Sequence, residues 1–206
     1  MHHLHNNYLS KPLLKTSGKE IKDLLLAWLG LSLAFTILFR STGIVSALVI
    51  GLIGVGTGFL FHELAHKVVA QKYDLWAEFR ANYNMIGLAI LLSFAGFIFA
   101  APGAVMISGY NLTTERNGKI SLAGPLCNYI IAGIFLIAAL IIPKYAGIFY
   151  YGFIINAWLG LFNMIPFGNF DGVKILHWNK MVFGVMLGVG VIFLILESAL
   201  PYIINN

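Results

Sequence analysis

Charge is what this sequence lacks. Of 206 residues, 10% are Asp, Glu, Lys or Arg, and only eight are acidic. A soluble domain carries about a quarter charged residues, so a chain this long has too few to cover a surface facing water. Cysteine is nearly missing as well. The single Cys127 excludes a disulfide scaffold and, set in an apolar stretch, reads as a small core residue. The composition also excludes disorder and collagen-like repeats. No basic run interleaved with aromatics suggests a nucleic-acid groove.

What is present is apolar. Hydrophobic residues make up 59% of the chain, and mean hydropathy is +0.85. Length and composition together predict one integral membrane domain, with no room for a large soluble appendage. The formal net charge of +5 and pI near 9.3 then read as Lys and Arg held on the cytoplasmic side of a membrane.

Residues 1–22 form a polar tail with Lys11, Lys15, Lys19, Lys22 and a small cluster of His2, His3 and His5. Residues 23–206 form the membrane domain. About 17 to 25 apolar residues cross the hydrocarbon. Runs at 23–39, 43–73, 120–142, 147–165 and 182–203 predict five crossings. Leu75, Ala77, Phe79, Ala81 and Tyr83 alternate with Trp76, Glu78, Arg80 and Asn82, a period of two that argues for a strand. Its backbone needs a partner beside a membrane, and 102–108 is the nearest candidate. The expected fold is therefore an all-α polytopic membrane protein of about five transmembrane helices, with a re-entrant, β-hairpin membrane-associated segment at 75–108.

His62-Glu63-Leu64-Ala65-His66 carries the chemistry. In a helix, residues i and i+4 share a face, so both imidazoles reach one metal ion. Glu63 projects about 100° away, placed to take a proton from metal-bound water. Ionisable side chains inside a membrane are functional candidates by default. Catalytic zinc takes three protein ligands, and few candidates exist for the third. Glu20 and Asp23 look like helix-start residues, Glu78 belongs to the alternating strand, Glu115 to a polar loop, and Glu197 to the last span. Asp171 stands out in Asn163-Met-Ile-Pro166-Phe-Gly-Asn-Phe-Asp171-Gly172. Pro166 and Gly168 break the preceding helix there, and irregular backbone at membrane depth belongs beside protein or water. Taken alone, Asp171 could cap a helix; with HExxH in the same chain it is the favoured ligand, and Glu78 and Glu115 are the alternatives.

His62-Glu63-xx-His66, Ala123-Gly124-Pro125-xx-Asn128 and Asn163-xx-Pro166-xxxx-Asp171-Gly172, in this order, resemble the site-2 protease family of intramembrane zinc metalloproteases. The resemblance covers a catalytic core at about 44–175. It implies zinc held by His62, His66 and Asp171, Glu63 as general base, Asn163 near the active centre and Asn128 helping to position substrate. The long apolar run at 85–107 is less typical of the family.

Sharing one metal requires the second span and the 147–165 span to run parallel, so 85–107 must enter and return on one side. Charge agrees. With a re-entrant segment and the N-terminus inside, eleven basic residues lie inside and two, Arg40 and Lys144, outside; a crossing segment gives eight against five. The cleaved partner is expected to be a transmembrane protein in the lipid bilayer of the cell membrane, with no nucleic acid involved. The active site is expected towards the cytoplasmic side, with a polar cavity between the second span and the Asn163 helix. Helical substrates hide their peptide bonds, so Val105 and Ile107 are expected on a sheet edge that holds an unwound segment. The rival readings are a metal transporter and a non-catalytic binder of membrane helices.

Overall fold

The computed structural model describes residues 14–98 and 102–204. His2, His3, His5 and Lys11 lie outside the described residues, as do 99–101 of the re-entrant run. The protein is an all-α polytopic membrane protein with five helices long and apolar enough to span a membrane.

Helix α1 (Gly18–Leu38) starts earlier than the hydropathy pattern suggested, because the Ser17 side chain accepts from the Glu20 N–H and caps it. The second span covers Ile44–Lys72. It consists of α2 (Ile44–Val49), two π turns (Ile50–Gly54 and Gly56–Leu60) and α3 (Phe61–Lys72), which carries the HExxH residues. A π turn disturbs the helical hydrogen-bond ladder, and hydrocarbon offers no water as substitute. Side chains supply donors here. Trp28 Nε1 donates to the Leu52 carbonyl, Thr57 Oγ1 to those of Ile53 and Gly54, and Asn128 Nδ2 to that of Gly58.

Strand β1 (Trp76–Ala81) pairs antiparallel with β2 (Gly103–Ser108), with Phe79 opposite Val105. Between them lies α4 (Tyr83–Phe94), 12 residues long. At 1.5 Å per residue α4 spans about 18 Å, short of the roughly 30 Å hydrocarbon core. The strands pair side by side, so the chain returns to where it left, as a re-entrant hairpin must.

Helix α5 (Thr114–Ile141) is the central post, packed against α3, α6 (Ala146–Asn163) and α7 (Asp171–Trp178); α8 (Lys180–Ile204) packs on α6 and α7. The outward face of α5 shows Leu126, Ile130, Ile134, Ile137 and Ile141, a stripe at helical spacing suited to lipid. Buried polar groups face inward: Asn128 and Asn156 are wholly buried. Glu197, in the last span, accepts from Trp158 Nε1 at 2.9 Å.

The hairpin docks through aromatic packing. Phe79 is buried and meets Phe59 edge to face, with ring centroids 5.4 Å apart, in a cluster with Ala27, Leu31 and Ile86. Replacing a buried Phe by Ala costs about 3 to 5 kcal/mol. Phe79→Ala is therefore expected to lower the unfolding midpoint in detergent by several degrees, whereas an unchanged midpoint would place the hairpin outside the cooperative core.

Candidate metal centre

His62 and His66 sit four residues apart on α3, and Asp171 opens α7. The sequence suggested an irregular segment for Asp171. The turn after α6 does use Gly168 at φ +64°, but Asp171 itself is already helical. Gly172 explains the close approach: a Cβ there would run into the Met164 carbonyl at the end of α6. Asp171 is thereby folded back towards α3.

The three side chains converge. His62 Nε2 and His66 Nε2 are 3.0 Å apart, and Asp171 Oδ2 lies 3.4 Å from the first and 3.0 Å from the second. All three residues are buried, and among the described residues theirs is the one group of three or more His, Cys, Asp or Glu whose donor atoms meet within 4.8 Å. Donors placed 2.0–2.2 Å from one tetrahedral ion would stand about 3.3–3.6 Å apart. The observed triangle needs only a slight opening to match.

Hydrogen bonds fix which atoms face the centre. His66 Nδ1 lies 2.7 Å from the Ile120 carbonyl, which can only accept, so Nδ1 carries the proton. His62 Nδ1 lies 2.6 Å from Asn128 Oδ1. The Asn128 amide is oriented by its other end, since Nδ2 donates to the Gly58 carbonyl and to Asn156 Oδ1. His62 Nδ1 is therefore the donor as well. Both Nε2 lone pairs are left pointing at each other and at a carboxylate, an arrangement that repels unless positive charge sits between them. These donors suit a divalent metal, and their second nitrogens are oriented as metal-bound histidines usually are. Lys174 Nζ lies 3.6 Å from Asp171 Oδ1, on the side away from the imidazoles' partner oxygen.

Helix α5 makes room for the imidazoles. A Cβ on Gly124 would stand 2.6 Å from His62 Nε2 and closer still to His66 Nε2. Pro125, next to it, has no N–H to donate within the helix. The Ala123-Gly124-Pro125-xx-Asn128 sequence thus shapes the wall behind the site. The resemblance implies that Asn128 helps to position substrate; its side chain is wholly buried behind His62, with its amide bonded to His62, Gly58 and Asn156. Asn163 is the last residue of α6, and its Nδ2 donates to the Leu159 carbonyl one turn back.

Glu63 is buried next to His62 and accepts from the Val105 N–H at 3.2 Å. Val105 and Ile107 are two residues apart, so both turn their backbone groups away from β1. The alternative ligands point elsewhere. Glu78 pairs with Arg80, whose hydrogen bond holds the Glu78 carboxyl below its ordinary range. Glu115 pairs with Lys119 at 2.6 Å. A cavity of about 230 Å³, lined by Thr113, Asn117, Lys174 and His177 among others, lies between the start of α5 and α7. Lys174 both lines it and reaches Asp171, so this cavity borders the site; it is not the one expected beside the Asn163 helix.

Glu20 and Asp23 are not simple helix-start residues. Both are buried and bond the backbone of β1: Phe79 N–H donates to Glu20 Oε1 at 3.0 Å, and Ala81 N–H to Asp23 Oδ2 at 3.4 Å. The signal in the sequence was an acidic pair three residues apart entering an apolar span, with an unpartnered Lys67 directly after the motif.

No family model matches the chain, and no solved structure matches it. Among curated proteins it is similar to one from Methanocaldococcus jannaschii named "Putative zinc metalloprotease", 44% identical over 176 residues, which cover 82% of this chain and 90% of the relative. With that identity over that share of both chains, and with a membrane-embedded set of metal-binding donors, the chain belongs to this zinc metalloprotease family.

Proposed function

We propose that the protein is an intramembrane metalloprotease of the site-2 type, cutting peptide bonds in or near transmembrane segments of membrane proteins. The observation that carries this reading is the convergence of His62, His66 and Asp171 within a bundle of membrane-spanning helices, with Glu63 beside them. A zinc ion held by those three residues would lower the pKa of a water and polarise the scissile carbonyl.

The remaining work falls to the chain itself. Asn128 and the Ile120 carbonyl hold the two imidazoles in one tautomer and orientation. The Glu63 carboxylate accepts the proton from the attacking water and delivers it to the leaving amine. Val105 N–H holds that carboxylate in place. A substrate helix must unwind to expose its peptide bonds, and the outward edge of β2 is available to pair with the unwound segment. The cavity lined by Lys174, which reaches Asp171, is the route we assign to water. The excess of Lys and Arg on one side of the five-span topology orients the N-terminus and the site towards the cytoplasm.

Asp171→Ala is expected to lose bound zinc, measured by metal analysis of the purified protein, while Glu78→Ala and Glu115→Ala keep it. Zinc retained in Asp171→Ala would remove this residue from the ligand set. Glu63→Gln should retain zinc yet show at least a hundredfold slower cleavage of a transmembrane peptide, in line with the roughly 10²–10⁴-fold contribution of acid–base catalysis. Wild-type activity in that variant would remove Glu63 as base. For the strand edge, Ile107→Pro is the cleaner probe, because the Val105 N–H is already bonded to Glu63. It should impair cleavage with zinc content unchanged; undiminished cleavage would rule out pairing along β2.

A further inference from the structure

Beyond the ligands and the base, the structure contains a closed loop of interactions around the hairpin. Glu63 and Lys67 lie four residues apart and share a face of α3. Glu63 takes the Val105 N–H of β2. Val105 is the direct cross-strand partner of Phe79 on β1. The Phe79 N–H, on the opposite outer edge, goes to Glu20 Oε1 of α1. The other oxygen of Glu20 pairs with Lys67 Nζ, which returns the loop to α3. Glu20 and Lys67 are 0% and 1% exposed, so neither is a surface ion pair. Lys67 Nζ has one further partner, Thr16 Oγ1 at 2.8 Å.

One rung of the sheet, Phe79 with Val105, is thus gripped from both sides by carboxylates. One of them is the proposed base. Asp23 repeats the pattern a turn along α1, accepting from Ala81 N–H and, at 2.5 Å, from the Tyr83 hydroxyl. The outer edge of β1 is therefore closed by α1, and β2 carries the edge that faces the site.

We propose that Glu20 is a positioning residue for proteolysis: by holding Phe79 N–H against Lys67 it fixes the distance between the β2 edge and Glu63. This rests on the protease reading. The ion pair makes Glu20 and Lys67 mutually necessary inside an apolar protein, but the strand bond is what sets the register of the hairpin against α3. Phe79 packing and Asp23 keep the hairpin docked, but without an acceptor for Phe79 N–H this rung is held less closely against α3, and the Val105 N–H meets Glu63 less often.

Two neutral double variants separate these contributions, since neither leaves a buried charge unpaired. E20Q/K67M removes the ion pair and keeps a carbonyl oxygen for Phe79 N–H. E20M/K67M removes both. The full chain in detergent would be assayed with a fluorescent transmembrane peptide cleaved by the wild type, together with zinc content and amide hydrogen exchange over 76–81 and 103–108. E20Q/K67M is expected to turn over at least tenfold faster than E20M/K67M. The difference should appear in kcat, with equal zinc content. Exchange in both strands should be faster in E20M/K67M. Equal turnover and equal exchange in the two doubles would overturn the proposal and leave an ion pair of purely structural value. If the wild type cleaves no transmembrane peptide, the protease reading falls, and the exchange comparison still decides whether Glu20 holds the hairpin.

Discussion

Three lone pairs aimed at one point inside an apolar bundle set the terms for much of this structure. Two imidazole nitrogens and a carboxylate oxygen stand 3.0 to 3.4 Å apart, and such a cluster is unfavourable without a cation. Holding it requires that every other polar atom of the three residues be committed elsewhere. Asn128 and the Ile120 carbonyl take the distal imidazole nitrogens. Gly124 vacates the space the rings need, and Gly172 lets α7 come close enough to present Asp171. Central placement of α5 follows from this demand, because one helix supplies the wall and both Nδ1 partners.

The second constraint is the absence of water as a hydrogen-bond partner. The π turns of the second span need donors from neighbouring helices, and Trp28 and Asn128 provide two of them. Asn128 then serves the backbone and the metal centre together: its amide nitrogen meets Gly58, and its oxygen meets His62. The same economy recurs at Glu20, whose two oxygens serve a strand and a buried lysine.

How much of this could be read from the sequence depends on how local each interaction is. The five spans follow from the length of apolar runs, and the alternating strand and the HExxH face from periodicity; all are properties of short windows. Scarcity of acidic residues shortened the list of third ligands, and the broken helix at Pro166 and Gly168 favoured Asp171. The partners of Asn128 were not legible, since an amide bonding a distal imidazole nitrogen and one facing substrate look identical in a linear chain. Glu20 was missed for a related reason. At a helix start an acidic residue has an ordinary local explanation, and only the packing of α1 against β1 reveals its other partner. The helical start at Asp171 was hidden behind Pro166 and Gly168, which break one helix without showing how soon the next begins.

The hairpin explains why charge scarcity and the fold go together. An edge of unpaired strand near a membrane is costly. Closing one edge with side-chain carboxylates from α1 leaves the other edge for use. That solution requires acidic residues inside the protein, and each one needs a fixed partner: Glu20 has Lys67 and Phe79 N–H, and Asp23 has Ala81 N–H and the Tyr83 hydroxyl. Of the eight acidic residues in the chain, four, Glu20, Asp23, Glu63 and Asp171, lie buried in this region. The few charges the membrane tolerates are concentrated where backbone edges and metal-binding donors would otherwise stand unpaired.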